Sequence, residues 1–198
     1  MTSLAEQRLT AAEYLEIERA AESKSEFFAG EMFAMAGASE EHNLIVANVV
    51  GELRSQLKGR PCRVYPSDMR VKVSATGLCT YPDVVVICGD RQFDDQKRDT
   101  LLNPTLIVEV LSETTEAYDR GKKFDHYRQI PSLEEYILVS QSEPLVERFA
   151  RQPDGSWLLT VVKGLESVLE FESVVCRLRL ADVYFKVSFE SEGVKALE

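Results

Sequence analysis

Two hydrophobic periodicities alternate along the chain, and their order predicts its elements. Val46, Val49, Val50, Leu53 and Leu57 recur at helical spacing, with Ser39 placed to cap the helix and Gly59 followed by Pro61 to stop it. His42 lies one turn before Val46 on the same face. An earlier helix opens at Thr10-Ala11-Ala12-Glu13, which has the capping-box form, and runs to about Glu22. Between the two helices, Glu26-Phe27-Phe28 and Glu31-Met32-Phe33-Ala34-Met35 flank Ala29-Gly30, the pattern of a strand hairpin. The period then changes to that of strands over 63–73, 81–88 and 105–111. The second and third of these are nearly continuous apolar runs, as in central strands covered on both faces. The charged, turn-rich segment 89–104 reads as a loop, and 115–129 as a helical stretch stopped by Pro131. Strands at 135–140, 145–151 and 157–162 follow, with a turn at Asp154-Gly155. This order predicts an α/β (α+β) chain forming one domain over 1–198, with its core at about 9–187.

Composition narrows the class. With 44% hydrophobic and 28% charged residues in 198, the chain is expected to fold around a substantial core without metal or disulfide staples. No apolar run approaches the roughly 18 residues of a membrane span, and the polar start lacks a signal-peptide core, so the expected location is the cytoplasm. Cys62, Cys79, Cys88 and Cys176 show no C-x-x-C spacing, and only His42 and His126 could join them as nitrogen ligands. They read as small buried hydrophobes in a reducing compartment.

Two acids stand in surroundings that do not suit them. Asp83 follows Tyr81-Pro82 and precedes Val84-Val85-Val86-Ile87, and Glu109 lies inside Leu106-Ile107-Val108-Glu109-Val110-Leu111. A buried carboxylate must be paired, protonated or bound to a cation. One such acid is most simply a strand-end charge or a structural ion pair, whereas two on neighbouring strands favour a shared hard ion such as Mg²⁺ or Mn²⁺. Asp119, Lys123 and Tyr127 share a face of the helix that follows, so packing of that face on the Glu109 strand would bring the lysine to the carboxylates. There it could orient or deprotonate a water and stabilise charge on a phosphate. Taken alone, Asp119 and Lys123 would be an ordinary surface pair.

These residues resemble the PD-(D/E)XK nuclease superfamily. More closely, the blocks Ser25-Glu26-Phe27-Phe28-Ala29-Gly30-Glu31, Glu41-His42, Tyr81-Pro82-Asp83-Val84-Val85-Val86, Glu109-Val110-Leu111-Ser112, Asp119-Arg120-Gly121-Lys122-Lys123 with Tyr127, and Glu134-Glu135-Tyr136 resemble the Uma-type restriction-endonuclease family of bacteria, over about 9–180. The resemblance implies a restriction-endonuclease-like fold, a mixed central sheet flanked by helices with extra C-terminal antiparallel strands. It also implies divalent-metal-dependent cleavage of DNA phosphodiesters. Asp83 and Glu109 match the metal-binding acids, Glu26 the acid before the first hairpin, and His42 the histidine opening the next helix. Asp83, Glu109, Lys123 and Glu26 are then the expected catalytic residues, and Asp83, Glu109 and His42 the expected metal site for Mg²⁺ or Mn²⁺. The superfamily lysine, two residues after the second acid, is replaced by Leu111, and the closer family points to Lys123 from the following helix as its substitute. His42 also fits a hydrogen-bonded structural role, and Glu26 a strand-end charge. Cleavage of two strands calls for a C2 homodimer. Two other readings stay open: an inactive nucleic-acid-binding or interaction protein on the same fold, and a phosphohydrolase of small molecules.

Net charge is −10, from 23 basic and 33 acidic side chains, which argues against strong non-specific DNA binding. Residues 1–53 carry 3 basic and 10 acidic groups and 129–198 carry 7 and 12, but 54–128 carry 13 and 11. Within this middle third Arg54, Lys58, Arg60, Arg63, Arg70 and Lys72 are opposed only by Asp68, a candidate phosphate-tracking patch for weak, salt-sensitive association with DNA.

Overall fold

The computed structural model of the chain describes residues 8–189. Thr10 and Glu13 close both halves of the capping box, with Thr10 N–H donating to Glu13 Oε2 at 2.8 Å and Glu13 N–H to Thr10 Oγ1 at 3.2 Å; helix α1 spans Ala11–Ala20. Strands β1 (Ser25–Phe28) and β2 (Glu31–Ala34) pair antiparallel across Ala29 and Gly30, whose φ of 52° and 89° are those of a type I′ turn. Ser39 caps α2 (Glu40–Gln56) by accepting the His42 N–H at 3.1 Å, and the helix buries Ile45, Val49 and Leu53.

Two expected strands are shorter than their apolar runs. The run 63–73 becomes β3 (Cys62–Pro66) and β4 (Arg70–Val73), separated by a turn in which Met69 N–H donates to the Pro66 carbonyl. The run 81–88 contains only β6 (Val84–Cys88), and the shorter β5 (Leu78–Thr80) precedes Tyr81-Pro82-Asp83. Proline before a ladder and a change of direction at 66–69 break the strands although apolar composition continues through both. The loop 89–104 includes β7 (Thr100–Leu101), parallel to β4. After β8 (Leu106–Val110) the predicted helix is built from α3 (Glu116–Tyr118), a π-helical turn (Asp119–Lys123) and α4 (Phe124–Tyr127). Then come β9 (Glu135–Val139), β10 (Leu145–Arg151), β11 (Trp157–Lys163), β12 (Val168–Phe171), β13 (Cys176–Arg179) and α5 (Leu180–Val183).

The main sheet is mixed, in the order β11-β10-β9-β8-β6-β3, with β8 and β9 parallel and its other neighbours antiparallel. Its interior strands β6 and β8 are covered on both faces, as their apolar runs predicted. Alternate residues divide between two cores. Val84, Val86, Leu106 and Val108 face α2, α5 and the β12-β13 ribbon, while Val85, Ile87 and Ile107 face Tyr127 and the inner side of a second sheet, β2-β1-β5-β4-β7. That second sheet adds to the expected mixed central sheet flanked by helices. It arises because β4 and β5 pair with each other and with β1 and β7 rather than extending β3 and β6.

The cysteines divide likewise. Cys79 and Cys176 are buried thiols, but Cys62 and Cys88 stand opposite one another on β3 and β6 and form a disulfide, which corrects the expectation of four thiols. Among the described residues no helix is long and apolar enough to cross a membrane.

Candidate active site

The β6-β8 register, Val84 opposite Val108, brings Asp83 opposite Glu109 when continued by one residue. Asp83 sits where the chain leaves the second sheet for the main one, so its backbone is no longer tied into a ladder and its amide approaches Glu109 Oε2 at 3.4 Å. Its carboxylate is held on both oxygens. Val110 N–H donates to Oδ2 at 2.7 Å, and His42 Nε2, from the first turn of α2, meets Oδ1 at 2.9 Å.

Glu109 projects from the opposite face of β8 to Val108 and Val110, into the layer that the π-helical turn covers. Its Oε1 accepts from Tyr127 OH at 2.8 Å and pairs with Lys123 Nζ at 2.9 Å. The same ammonium lies 3.3 Å from Glu26 Oε1 on β1 and 3.3 Å from Asp119 Oδ1 one turn back. Thr80 hydroxyl donates a short hydrogen bond to Glu26, and Tyr136 OH donates to the Asp119 carbonyl at 3.1 Å. Five segments distant in sequence therefore place Glu26, His42, Asp83, Glu109 and Lys123 in one connected cluster. Every residue expected from the sequence is in it.

The cluster is buried and short of positive charge. Side-chain exposure is 8% for Lys123, 5% for Glu109 and 4% for Asp119, rising only to 15% for Asp83 and 16% for His42. Burial alone would lower the Lys123 pKa, but Glu109, Glu26 and Asp119 outweigh it and hold the amine well above its ordinary value, as an ammonium. The shortfall falls on the acids. Burial, partly opposed by Lys123 and reinforced by Asp83 and Asp119, pushes Glu109 above the usual carboxylate range, and burial raises Asp119 as well. Asp119 Oδ1 faces Lys123 but has no hydrogen-bond partner. Burial also drives the Tyr127 hydroxyl well above its ordinary pKa, so it remains a donor to Glu109.

This donor set fits a hard divalent cation. Three carboxylates, Glu26, Glu109 and Asp119, face one ammonium, and Asp83 and Glu109 are neighbouring oxygen donors, the number Mg²⁺ usually takes from protein, with solvent and phosphate completing its shell. Among the described residues no group of three or more His, Cys, Asp or Glu side chains is placed to hold a metal ion. His42, expected among the metal ligands, is bonded through Nε2 to Asp83, where it orients that carboxylate.

The model of the Uma2 family, described as "Putative restriction endonuclease", matches residues 11–181. The chain belongs to the Uma2 family. Two relatives from Synechocystis sp. are the uncharacterized proteins sll1609, 40% identical over 163 residues covering 82% of this chain and 92% of its own, and slr1290, 34% identical over 182 residues covering 92% and 94%. The crystal structure of a putative nuclease belonging to DUF820 from Anabaena variabilis superposes with a TM-score of 0.73 at 20% identity, over 89% of this chain and 97% of that one. The fold of this Uma2 chain is thus the restriction-endonuclease-like one its sequence resembles.

Sequence reasoning missed Thr80, the Val110 amide and Tyr136, which bond to Glu26, Asp83 and Asp119 respectively. Only the place of Tyr136 in a resembling block and of Thr80 just before Tyr81-Pro82 hinted at them. The basic patch also changes. Arg70 is buried against Tyr81 and Thr100, and Lys72 is paired with Asp94 at 2.7 Å, so neither can track phosphates. Arg54, Lys58, Arg60 and Arg63 remain exposed.

Proposed function

We propose that this chain is an endonuclease that hydrolyses DNA phosphodiester bonds with a divalent cation, Mg²⁺ or Mn²⁺, held by Asp83 and Glu109. The observation that carries the reading is the meeting of two neighbouring carboxylates and a buried ammonium at the ends of β6 and β8 in a Uma2-family chain. Once bound, the cation would polarise a phosphoryl oxygen and acidify an attacking water. The side chains do the rest. His42 and the Val110 amide fix the plane of the Asp83 carboxylate, and Tyr127 fixes Glu109. Lys123 comes from the π-helical turn rather than from the Leu111 position, and an ammonium there orients the water and balances charge growing on the phosphate. As an ammonium it is not the base. Glu26 and Asp119 keep it charged and aimed. A C2 homodimer would present two such centres to the two strands of a duplex.

The test is cleavage of plasmid and oligonucleotide DNA with Mg²⁺ or Mn²⁺ by the wild type, Asp83→Ala and Lys123→Ala. Metal-dependent cutting that falls by about 10²–10³ in each variant supports the reading. Cutting by Asp83→Ala at the wild-type rate overturns it. The engagement of Lys123 by three carboxylates favours one alternative, a binding module that no longer cuts; DNA binding without metal-dependent cutting would establish that instead.

A further inference from the structure

The exposed cations left over from the sequence patch are not scattered. They line one groove, of about 630 Å³, between the C-terminal half of α2 and strand β3. Arg54 and Lys58 come from the helix end, Arg60 from the turn and Arg63 from the strand, with no carboxylate in the lining. Among the described residues none of the four is in an ion pair, whereas Lys72 and Arg70, close in sequence, have Asp94 and Asp99 as partners. Arg60 is anchored, its Nη1 donating to the carbonyls of Val174 and Val175 at 3.0 and 2.9 Å, which leaves its remaining N–H groups for a ligand. Strand β3 is the edge of the main sheet, so the backbone groups it does not share with β6 also border the groove. Cys62 lines the groove, and its disulfide to Cys88 ties that edge to β6.

A helix C-terminus attracts cations through its dipole, and this accounts for Arg54 and Lys58. It does not account for Arg63, on a strand, or for a groove wall without acids in a chain of net charge −10. We infer that this groove docks the phosphate backbone of duplex DNA beside the cleavage site. The choice of DNA as the polyanion rests on the nuclease reading; the charge and shape of the groove do not. The distances suit a single duplex. Pro66, at the far end of β3, pairs with Val84 next to Asp83, so Arg63 lies about 10–13 Å from the candidate site along the strand. His42 and Arg54 are separated by roughly 18 Å of helix. One DNA strand carries a phosphate every ~3.4 Å of axis, so these intervals correspond to about three to five phosphates.

The test measures binding of a fluorescein-labelled DNA duplex to the full chain in EDTA across a salt series. The proteins compared are the wild type, Lys58→Gln/Arg63→Gln, Lys58→Glu/Arg63→Glu, and Lys97→Gln/Arg98→Gln as a control at exposed cations outside the groove. All four substituted positions are exposed, and thermal melting verifies that each variant is folded. Loss of two phosphate contacts flattens the slope of log K against log salt by about two, so the glutamine pair is expected to show this, the glutamate pair weaker binding still, and the control no change. An unchanged slope in the groove variants, an equal loss in the control, or a wild type that does not bind the duplex at low salt overturns the inference. A wild type that binds through the groove yet never cuts with Mg²⁺ or Mn²⁺ overturns the nuclease reading and upholds the groove. A wild type that cuts while the groove variants bind undiminished overturns the groove alone.

Discussion

Lys123→Met isolates the electrostatics of the cluster from its packing, because methionine keeps most of the stem and removes the charge. In the wild type the amine stands 2.9 Å from Glu109 and 3.3 Å from both Glu26 and Asp119, at 8% exposure. Removing one partner of a buried pair leaves uncompensated charge and costs about 3–5 kcal/mol. Here the loss has an escape, since the acids can take up protons. Glu109 and Asp119 already titrate above their ordinary values through burial, and without the ammonium they rise further. A group whose folded pKa is raised contributes stability that is present below its unfolded pKa and lost as pH rises through the folded one. The variant should therefore lose about 3 kcal/mol at pH 7.5 and clearly less at pH 5. With a urea m-value of about 2 kcal/mol/M, the first figure is a midpoint shift of roughly 1.5 M. Lys123→Met/Glu109→Gln should recover a large part of it, because the neutral amide leaves no unpaired charge at position 109 and its carbonyl can still accept from Tyr127 OH. Urea titrations of the three proteins at the two pH values decide the matter. A loss below about 1 kcal/mol at both, or a loss that grows toward acid pH, would refute the picture of one ammonium balancing a buried set of carboxylates.

Three further outcomes are expected. His42→Ala, which frees Asp83 Oδ1 from its 2.9 Å partner, should weaken apparent Mg²⁺ affinity or plasmid cutting by about 10–100-fold, with melting temperature little changed. Thr10→Ala removes the capping box of α1 and should cost about 1 kcal/mol, or a melting temperature roughly 2–4 °C lower by calorimetry. Hydrogen bonding from Arg19, against some burial, holds Asp99 down to about 2, so its contribution is full above the unfolded carboxylate pKa and disappears as pH falls from about 4 toward 2. Because the Asp99 side chain is 36% exposed, that contribution should stay under about 1 kcal/mol; Arg19→Gln should remove it at pH 6 and have a clearly smaller effect at pH 2 in urea titrations.

What could be read without the structure was whatever a few adjacent residues decide. The Thr10-Glu13 box and the Ser39 cap close within four residues, and both helices begin where these signals stand. Asp83 and Glu109 were visible because each carboxylate interrupts an apolar run, and the four-residue repeat of Asp119, Lys123 and Tyr127 survives the π-helical turn well enough to keep all three on the cluster. Sheet membership is decided elsewhere. Val71 pairs with Thr80, and Phe27 with Cys79; Pro66-Ser67-Asp68 offers a turn, but nothing within residues 63–73 says that the chain then joins another sheet. The Cys62–Cys88 bond, across 26 residues, depends on the same long-range register. Arg70 and Arg63 look alike in sequence, yet one is buried against Tyr81 and the other faces solvent, a difference made by β4 lying inside the second sheet and β3 at the edge of the first.

The candidate site draws on β1, α2, the crossing at Asp83, β8 and the π-helical turn, and this dispersal has a consequence in time. Glu26, Asp83 and Glu109 precede Lys123 in the chain, so the acids are made before the ammonium that pairs with Glu26 and Glu109. Closing those segments on one another spends loop entropy and sets like charges together before the reward arrives, which puts the cluster late in folding. Protonated acids would meet with less repulsion. Contacts made that late leave the transition state little changed, so mild acid should alter the unfolding rate of the chain more than its folding rate.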